Sequence, residues 1–488
     1  MKSFRQLSLG IFTVLAISIS CRSPQEAKIP ITTSSPEALK LYLKGIDLYD
    51  NLRVSEAQEY FKQALKKDPD FAIAHLNYGM TSNDVKILLV ELNKALELIE
   101  NISEGERLLI LGAQASLSGL STSQLEYYLK LVKLYPQDER AHYLLGNHYF
   151  FQQDYNLAIG AYRRATEINP KFAPAYNMLG YSHRQLENFE EAEQAFKRYI
   201  AIIPNNPNPY DSYAELLMKK GEFEKSINVY QKALKVEPRF IPSVIGIATN
   251  LNFLERHSEA LTILRNFLTG VRTPIEKRHI LYAMMVSYLD HNDYSQALEI
   301  NDSLLSLAKQ NEDVGGILLS YQSRGIILFE LGRVDEAQHF LQLSQDIIQQ
   351  SDLSPEFKAN AQTDILYQFV RINIARNEFT EAKIKAEEFG RQAEFKNNRP
   401  QIWRYHELLG LIALKEKKFD EALGEFRRSN LQDSHILFQM AVAYHAKGDV
   451  SQATKYCQKV INYHDLNSVS YSFVRHKAQA LLAEMGII

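Results

Sequence analysis

Two neighbouring stretches of this 488-residue chain say the same thing twice. AHYLLGNHYFFQQDYNLAIGAYRRATEINP starts at Ala141, AYNMLGYSHRQLENFEEAEQAFKRYIAIIP starts 34 residues later at Ala175, and Gly146/Gly180, Ala158/Ala192 and Pro170/Pro204 fall in register. A fixed period of this length constrains a fold more than composition does. Each copy is one supersecondary unit that cannot bury its apolar face alone, so the copies must stack. The register extends backward to Gly112 and forward to Ala214 and Ala248, and Pro136, Pro170, Pro204 and Pro238 follow at the same step of 34. Gly79 and Gly45 continue it toward the N-terminus, with one interval of 33.

Within a unit, apolar residues recur at helical spacing through Leu144, Leu145 and Tyr149, then through Ile159, Tyr162 and Ala165, with a break at QQD between them. That pattern predicts a helix, a tight turn and a second helix. Gly146 and Ala158 mark where the paired helices come close, because a Leu at either place would overpack by about 1–3 kcal/mol. Pro170 closes the unit, since proline inside a helix costs about 3 kcal/mol. Beyond Pro238 the unit survives with a looser period. Ala297, Ala337, Ala382, Ala422 and Ala453 anchor it at intervals of 40, 45, 40 and 31. A last helix over roughly 470–485 is expected to cover the face left open by the final unit.

The unit of residues 141–170 resembles the tetratricopeptide repeat at Leu145, Gly146, Tyr149, Ala158, Tyr162, Ala165 and Pro170, with His142 in place of the family's opening Trp. Residues 43–69 match through Gly45, Ala57, Phe61, Ala64 and Pro69. The resemblance covers roughly residues 37–465. It implies an all-α fold, a right-handed superhelical solenoid of about ten to twelve stacked helix-turn-helix repeats, regular over 37–272 and divergent over 273–488 with the capping helix at its end.

The resemblance also implies a function: a non-catalytic scaffold that holds a partner protein or peptide in a concave groove lined by the first helix of each unit. Mapping the phase onto residues 139–253 puts Arg140, Tyr143, Asn147, Phe150 and Phe151 on that wall, then Asn177, Tyr181, Arg184 and Gln185, then Asp211, Glu215 and Lys219, then Asn252 and Phe253. Aromatics and Arg are enriched at protein-binding surfaces. The same residues also suit an ordinary half-exposed helix face. The family's clamp for a C-terminal carboxylate is not reproduced, because Tyr143 stands where its Lys would be.

Charge excludes one class of partner. Fifty-five basic against 58 acidic residues give a net charge of −3, without the basic domain or stripe that nucleic acid requires. Nothing points to an enzyme, a cofactor or a metal. His142 and His148 are six residues apart, about 120° round a helix, and poorly placed to share an ion. There is no HExxH, no GxSxG and no Gly-rich phosphate loop. Glu190–Glu191 and Glu387–Glu388 read as solvated helix faces. Cys457, in ATKYCQKVI, reads as a small buried hydrophobe.

The N-terminus is of another kind. Lys2 and Arg5 precede the uncharged run LSLGIFTVLAISIS, a secretory-signal layout over residues 1–20. Fourteen helical residues reach about 21 Å, short of the roughly 30 Å hydrocarbon core, which disfavours a spanning anchor. ISISC resembles the lipobox of bacterial lipoproteins, although Ser18 and Ile19 depart from its usual residues. It implies acylation at Cys21, with ordinary cleavage nearby as the alternative. Residues 21–36 would then be the lipidated cysteine and a flexible tether, RSPQEAKIPITTSS. The expected location is the bacterial cell envelope, bound to the membrane through the acyl anchor alone. Arg22 in place of Asp after the cysteine points to the outer membrane. A glycan- or nutrient-binding surface lipoprotein with similar helices is the alternative function, although the long loops usual in such proteins do not interrupt residues 139–238.

Overall fold

The computed structural model describes residues 28–82, 84–351, 355–466 and 468–487. The signal over 1–20, Cys21 and the start of the tether lie outside them. The described residues form helices and connecting turns, with no strand among them. Twelve helical pairs follow one another. The first seven are α1 and α2 (Pro36–Asp50, Val54–Lys67), α3 and α4 (Ala72–Met80, Val85–Glu97), α5 and α6 (Glu104–Leu117, Ser121–Leu134), α7 and α8 (Glu139–Phe151, Tyr155–Ile168), α9 and α10 (Ala173–Gln185, Phe189–Ile202), α11 and α12 (Asn208–Lys219, Phe223–Val236), and α13 and α14 (Ile241–Phe253, His257–Leu268). The next five are α15 and α16 (Pro274–Asp290, Tyr294–Gln310), α17 and α18 (Val314–Glu330, Val334–Gln350), α19 and α20 (Pro355–Ala375, Phe379–Phe395), α21 and α22 (Arg399–Lys415, Phe419–Arg428), and α23 and α24 (Ser434–Ala446, Val450–Ile461). A single helix, α25 (Val469–Glu484), ends the array. Each helix packs on its predecessor and successor, as in a solenoid.

The period is written into the turn between paired helices. One residue there takes left-handed backbone, at positions 119, 153, 187, 221 and 255, a step of 34 each time. From Asn292 the same turn recurs at 332, 377, 417 and 448, so the steps are 40, 45, 40 and 31, as between the anchoring alanines. The longer steps have a plain cause. Helices α15 to α21 run to 17–21 residues, against 9–15 in α1 to α14.

The close approach expected at Gly146 is made by an aromatic ring of the paired helix. A Cβ on Gly146 would lie 2.5 Å from the ring of Tyr162, and one on Gly180 would lie 2.6 Å from Phe196. Gly45 with Phe61, Gly112 with Tyr128 and Gly410 with Phe426 repeat the arrangement. The glycine of the first helix is a socket for the aromatic ring sixteen residues on, and those rings are among the most buried side chains of the chain. Ala158 is fully buried beside it.

The tether needs correction. Residues 28–35 are packed, not free. Ile29 is buried with Leu108, Leu131 and Ala141, and its amide donates to Asp138 at 3.0 Å. Thr32 donates through its amide and hydroxyl to Glu106, and the Ser34 amide donates to Asp68. Asp138 and Ser103, the caps of α7 and α5, thus also hold this incoming segment. An apolar residue between polar ones, passing a row of capping side chains, finds partners that composition does not reveal.

The C-terminal end turns inward. Helix α25 covers the last pair as expected, with Val474, Ala478, Leu481 and Leu482 packed on α23 and α24. Its other face lies against α15 and α17, where Val469 and Phe473 join the core that runs from α11 to α17. The end of the second array is therefore seated on the first helices of the middle units.

Candidate functional site

Every residue assigned to the inner wall lies on a first helix, α7, α9, α11 or α13. Most of them are engaged within the protein. Arg140 pairs with Asp50 of α1 and sits 5.5 Å from the Phe172 ring. Tyr143 lies between Tyr162 and Phe172, and burial pushes its phenol up to about 12. Asn147 accepts a hydrogen bond from the Tyr162 hydroxyl at 2.8 Å.

Further along, successive first helices are laced together. The Tyr181 hydroxyl donates to Ser212, Arg184 donates to Glu215 at 3.1 Å, Ser243 donates to Asp211 at 2.7 Å, and Asn252 donates to Ser287. These bonds run from one unit to the next, about one repeat apart in sequence. Inner helices lie close together, so polar groups on the wall satisfy one another. Asp211 is driven by burial, and then by the neighbouring Glu215 charge, up to about 8. Asn177 is half-buried and its side-chain oxygen has no partner. Gln185 offers its backbone carbonyl to Gln432 of the second array at 2.9 Å.

One part of the wall receives the turn between α24 and α25. Lys219 donates to the Tyr463 carbonyl at 2.7 Å and to the Asp465 carboxylate at 3.1 Å, and lies 4.0 Å from the centre of the Tyr463 ring. Arg184 approaches the same carboxylate at 3.7 Å. His464 has left-handed backbone and sets its ring edge against Phe223 and Phe253, and burial holds its imidazole down to about 4. Phe253 is stacked on Phe223, with the Arg475 guanidinium 5.4 Å from its ring. None of this was legible in sequence, because Asp465 lies 246 residues from Lys219.

Phe150 and Phe151 end α7. Phe150 packs on Tyr155, whereas Phe151 is 69% exposed. Phe151 stands at a cleft of about 330 Å³ between α5–α7 and α19–α21, with Gln124, Gln152, Asp364, Gln401 and Arg404 around it. Arg399 closes one side by pairing with Asp154. Another cleft, of about 440 Å³, lies beside Phe395 on α18 to α20, away from the assigned wall.

No group of three or more His, Cys, Asp or Glu side chains is placed to hold a metal among the described residues. His142 and His148 are occupied separately, by the Pro136 carbonyl and by Gln124. Cys457 is fully buried, and burial pushes its thiol up to about 11, which suits a packing residue. No helix among the described residues is long and apolar enough to cross a membrane.

Comparison with known proteins agrees with the repeat. Tetratricopeptide repeat family models match residues 42–81, 125–171 and 143–207, then 208–240, then 436–465. A TPR repeat-containing protein of Methanocaldococcus jannaschii is 23% identical over 322 residues, 62% of this chain and 53% of that protein. Anaphase-promoting complex subunit 3 of Schizosaccharomyces pombe is 22% identical over 41% of this chain and 30% of its own length. A UDP-N-acetylglucosamine–peptide N-acetylglucosaminyltransferase of Giardia intestinalis is 27% identical over 27% of this chain, which corresponds to 9% of that enzyme. The chain thus spans from under a tenth to about half of the lengths of these relatives. Among solved structures, a tetratricopeptide repeat protein from Parabacteroides merdae aligns over 56% of this chain and 94% of its own, at 16% identity and a TM-score of 0.36.

Proposed function

We propose that this chain, which carries tetratricopeptide repeats, is a non-catalytic scaffold that holds a partner protein or peptide against its inner wall, exported and anchored in the cell envelope by acylation of Cys21. Repeats of this family generally mediate protein–protein interaction, and that coarser statement is the premise. The observation that favours an inner-wall partner is Phe151, the wall aromatic that remains exposed, at the rim of a cleft bordered by both arrays. An exposed aromatic beside a guanidinium such as Arg404 is the composition of an interaction hot spot.

The rest of the wall is largely occupied from within. Tyr143, Tyr181, Asp211 and Glu215 spend their polar or aromatic groups on neighbouring units, and the space for a partner narrows to the cleft and the turn seat. Acylation at Cys21, export and the outer-membrane location rest on the N-terminal sequence. With residues 28–35 bound to the first units, only six residues, 22–27, would separate an acylated Cys21 from the folded array.

A photo-crosslinking side chain placed at 151 of the full chain, in intact bacteria, is expected to capture a partner that the same group at Leu157 does not. Leu157 is 54% exposed on a second helix, α8, and serves as the control. Equal adducts from both positions, or none from 151, would remove the groove from the proposal. In the same cells an alkyne fatty acid should label the wild-type chain and not Cys21→Ser; equal labelling sinks the anchor.

A further inference from the structure

The seat of the α24–α25 turn is a site with a defined chemistry. Arg184 and Lys219 are two cations on adjacent first helices, with side chains only 10% and 12% exposed. Glu215 answers Arg184, and the second negative charge comes from Asp465, carried in by the returning C-terminal end. Among the described residues, Asp465 is the carboxylate within salt-bridge distance of Lys219, and Arg184 would keep Glu215 without it. A buried cation without a partner is costly, so this part of the wall demands an acidic group.

The demand extends beyond one charge. Lys219 also reads the backbone of the occupant, by donating to the Tyr463 carbonyl, and its ammonium faces the Tyr463 ring. The stacked pair Phe223 and Phe253 covers the residue between, and a Cβ on Gly221 would lie only 3.4 Å from its ring. The occupant holds left-handed backbone at His464, a conformation that costs a non-glycine residue free energy. A carboxylate, a backbone carbonyl and an aromatic ring are therefore read together, and the segment that supplies them is strained.

We propose that Arg184, Lys219, Phe223 and Phe253 form a peptide-reading site for an aromatic residue two positions before an acidic one, and that the chain's own Tyr463–Asp465 turn is its resident occupant, displaced when a partner brings the same pattern. The inference deepens the scaffold reading and rests on it. The group recognised is a side-chain carboxylate within a peptide, not a chain end. Strain in the tethered copy favours exchange, because a free peptide can present the same groups in relaxed backbone.

The test uses the full chain and an amidated, fluorescent peptide of residues 460–468, VINYHDLNS, with a control peptide in which Asp465 is replaced by Asn. Asp465→Ala removes the resident carboxylate and loosens the turn, giving the emptied variant, and the near-isosteric Asp465→Asn serves if the alanine variant fails to fold by circular dichroism. The expected result is that the emptied protein binds the acidic peptide at least tenfold more tightly than wild type does. The Asn peptide should not bind, and a further Lys219→Ala change should abolish binding. Excess peptide should speed amide hydrogen exchange over 462–466 in wild type. Equal affinity of wild type and the emptied variant, or binding that survives Lys219→Ala, would overturn the proposal, as would a folded emptied variant that binds nothing. A partner still captured from position 151 in that event would leave the scaffold reading in place.

Discussion

At the scale of single residues, the repeat is a set of sockets. Gly146, Gly180 and Gly410 each admit one ring from the second helix of their own unit, and no other residue leaves the space. The left-handed turn position is less strictly written: Gly119, Gly221, Gly332 and Gly448 relieve it, while Gln153, Glu187 and Glu255 hold it with a side chain. Asp211 shows what burial does to a wall residue. Its carboxyl is raised from an ordinary value of 3.8 to about 8, burial being the main cause and Glu215 the next. The folded protein then keeps a proton that the unfolded chain has lost. Stability from this group is whole below pH 4 and is lost as pH rises toward and through 8. Asp211→Asn retains the acceptor for Ser243 and has nothing to ionise. Its advantage over wild type should grow from near zero at pH 4 to about 1 kcal/mol or more at pH 8.5, read from denaturant midpoints across that range. Curves that stay parallel would contradict the burial argument.

At the scale of elements, α25 does two things at once. One face closes the last pair, as terminal helices of repeat arrays must. The other carries charges matched to the middle units. Arg475 pairs with Asp290 of α15 at 2.6 Å, Lys477 with Glu330 of α17 at 2.5 Å, and the His476 ring reaches the Asp290 carbonyl. The Asp290 carboxylate is fully buried, with His257 3.8 Å away on its other side. Arg475→Met should therefore destabilise the chain by about 3–5 kcal/mol, because a buried charge loses its main partner. Adding Asp290→Asn should return most of that loss in guanidinium unfolding. A double variant no better than the single one would mean that α25 is held by Val469 and Phe473 alone.

At the scale of the whole molecule, the two arrays meet at several places far apart in sequence. Arg399 with Asp154, Asn397 with Thr122 and Gln432 with the Gln185 carbonyl are exposed contacts, worth little individually in water. The half-buried Lys219–Asp465 seat joins the arrays and is screened much less, as is the buried Asp290–Arg475 pair that holds α25 on α15 within the second array. Raising salt from 0.1 to 1 M should consequently leave the radius of gyration from small-angle scattering unchanged, whereas Arg475→Met should enlarge it even at low salt. Expansion of wild type in high salt would place the closure on the exposed pairs instead.

The helical pairs, their phase and the identity of the inner helices were all legible in the sequence, because contacts between neighbouring units are local and every copy repeats them. Gly146 and Gly180 announce a close approach, whereas the 40, 45, 40 and 31 spacing of the later alanines implies helices or loops of uneven length, and only the structure shows that the helices lengthen. The ring that each glycine receives was not legible, since the period marks the close approach and not the side chain that fills it. Residues 28–35 read as tether because two prolines and several hydroxyls carry no helical pattern, yet they dock by hydrogen bonds to Asp138, Glu106 and Asp68. The residues assigned to the wall lie on first helices, and their occupation by neighbouring units and by Asp465 was not legible. Periodicity determines which face of a helix looks inward. What fills that space depends on how far the superhelix turns before its own end returns, a sum of small rotations over twelve units that only the tertiary structure decides.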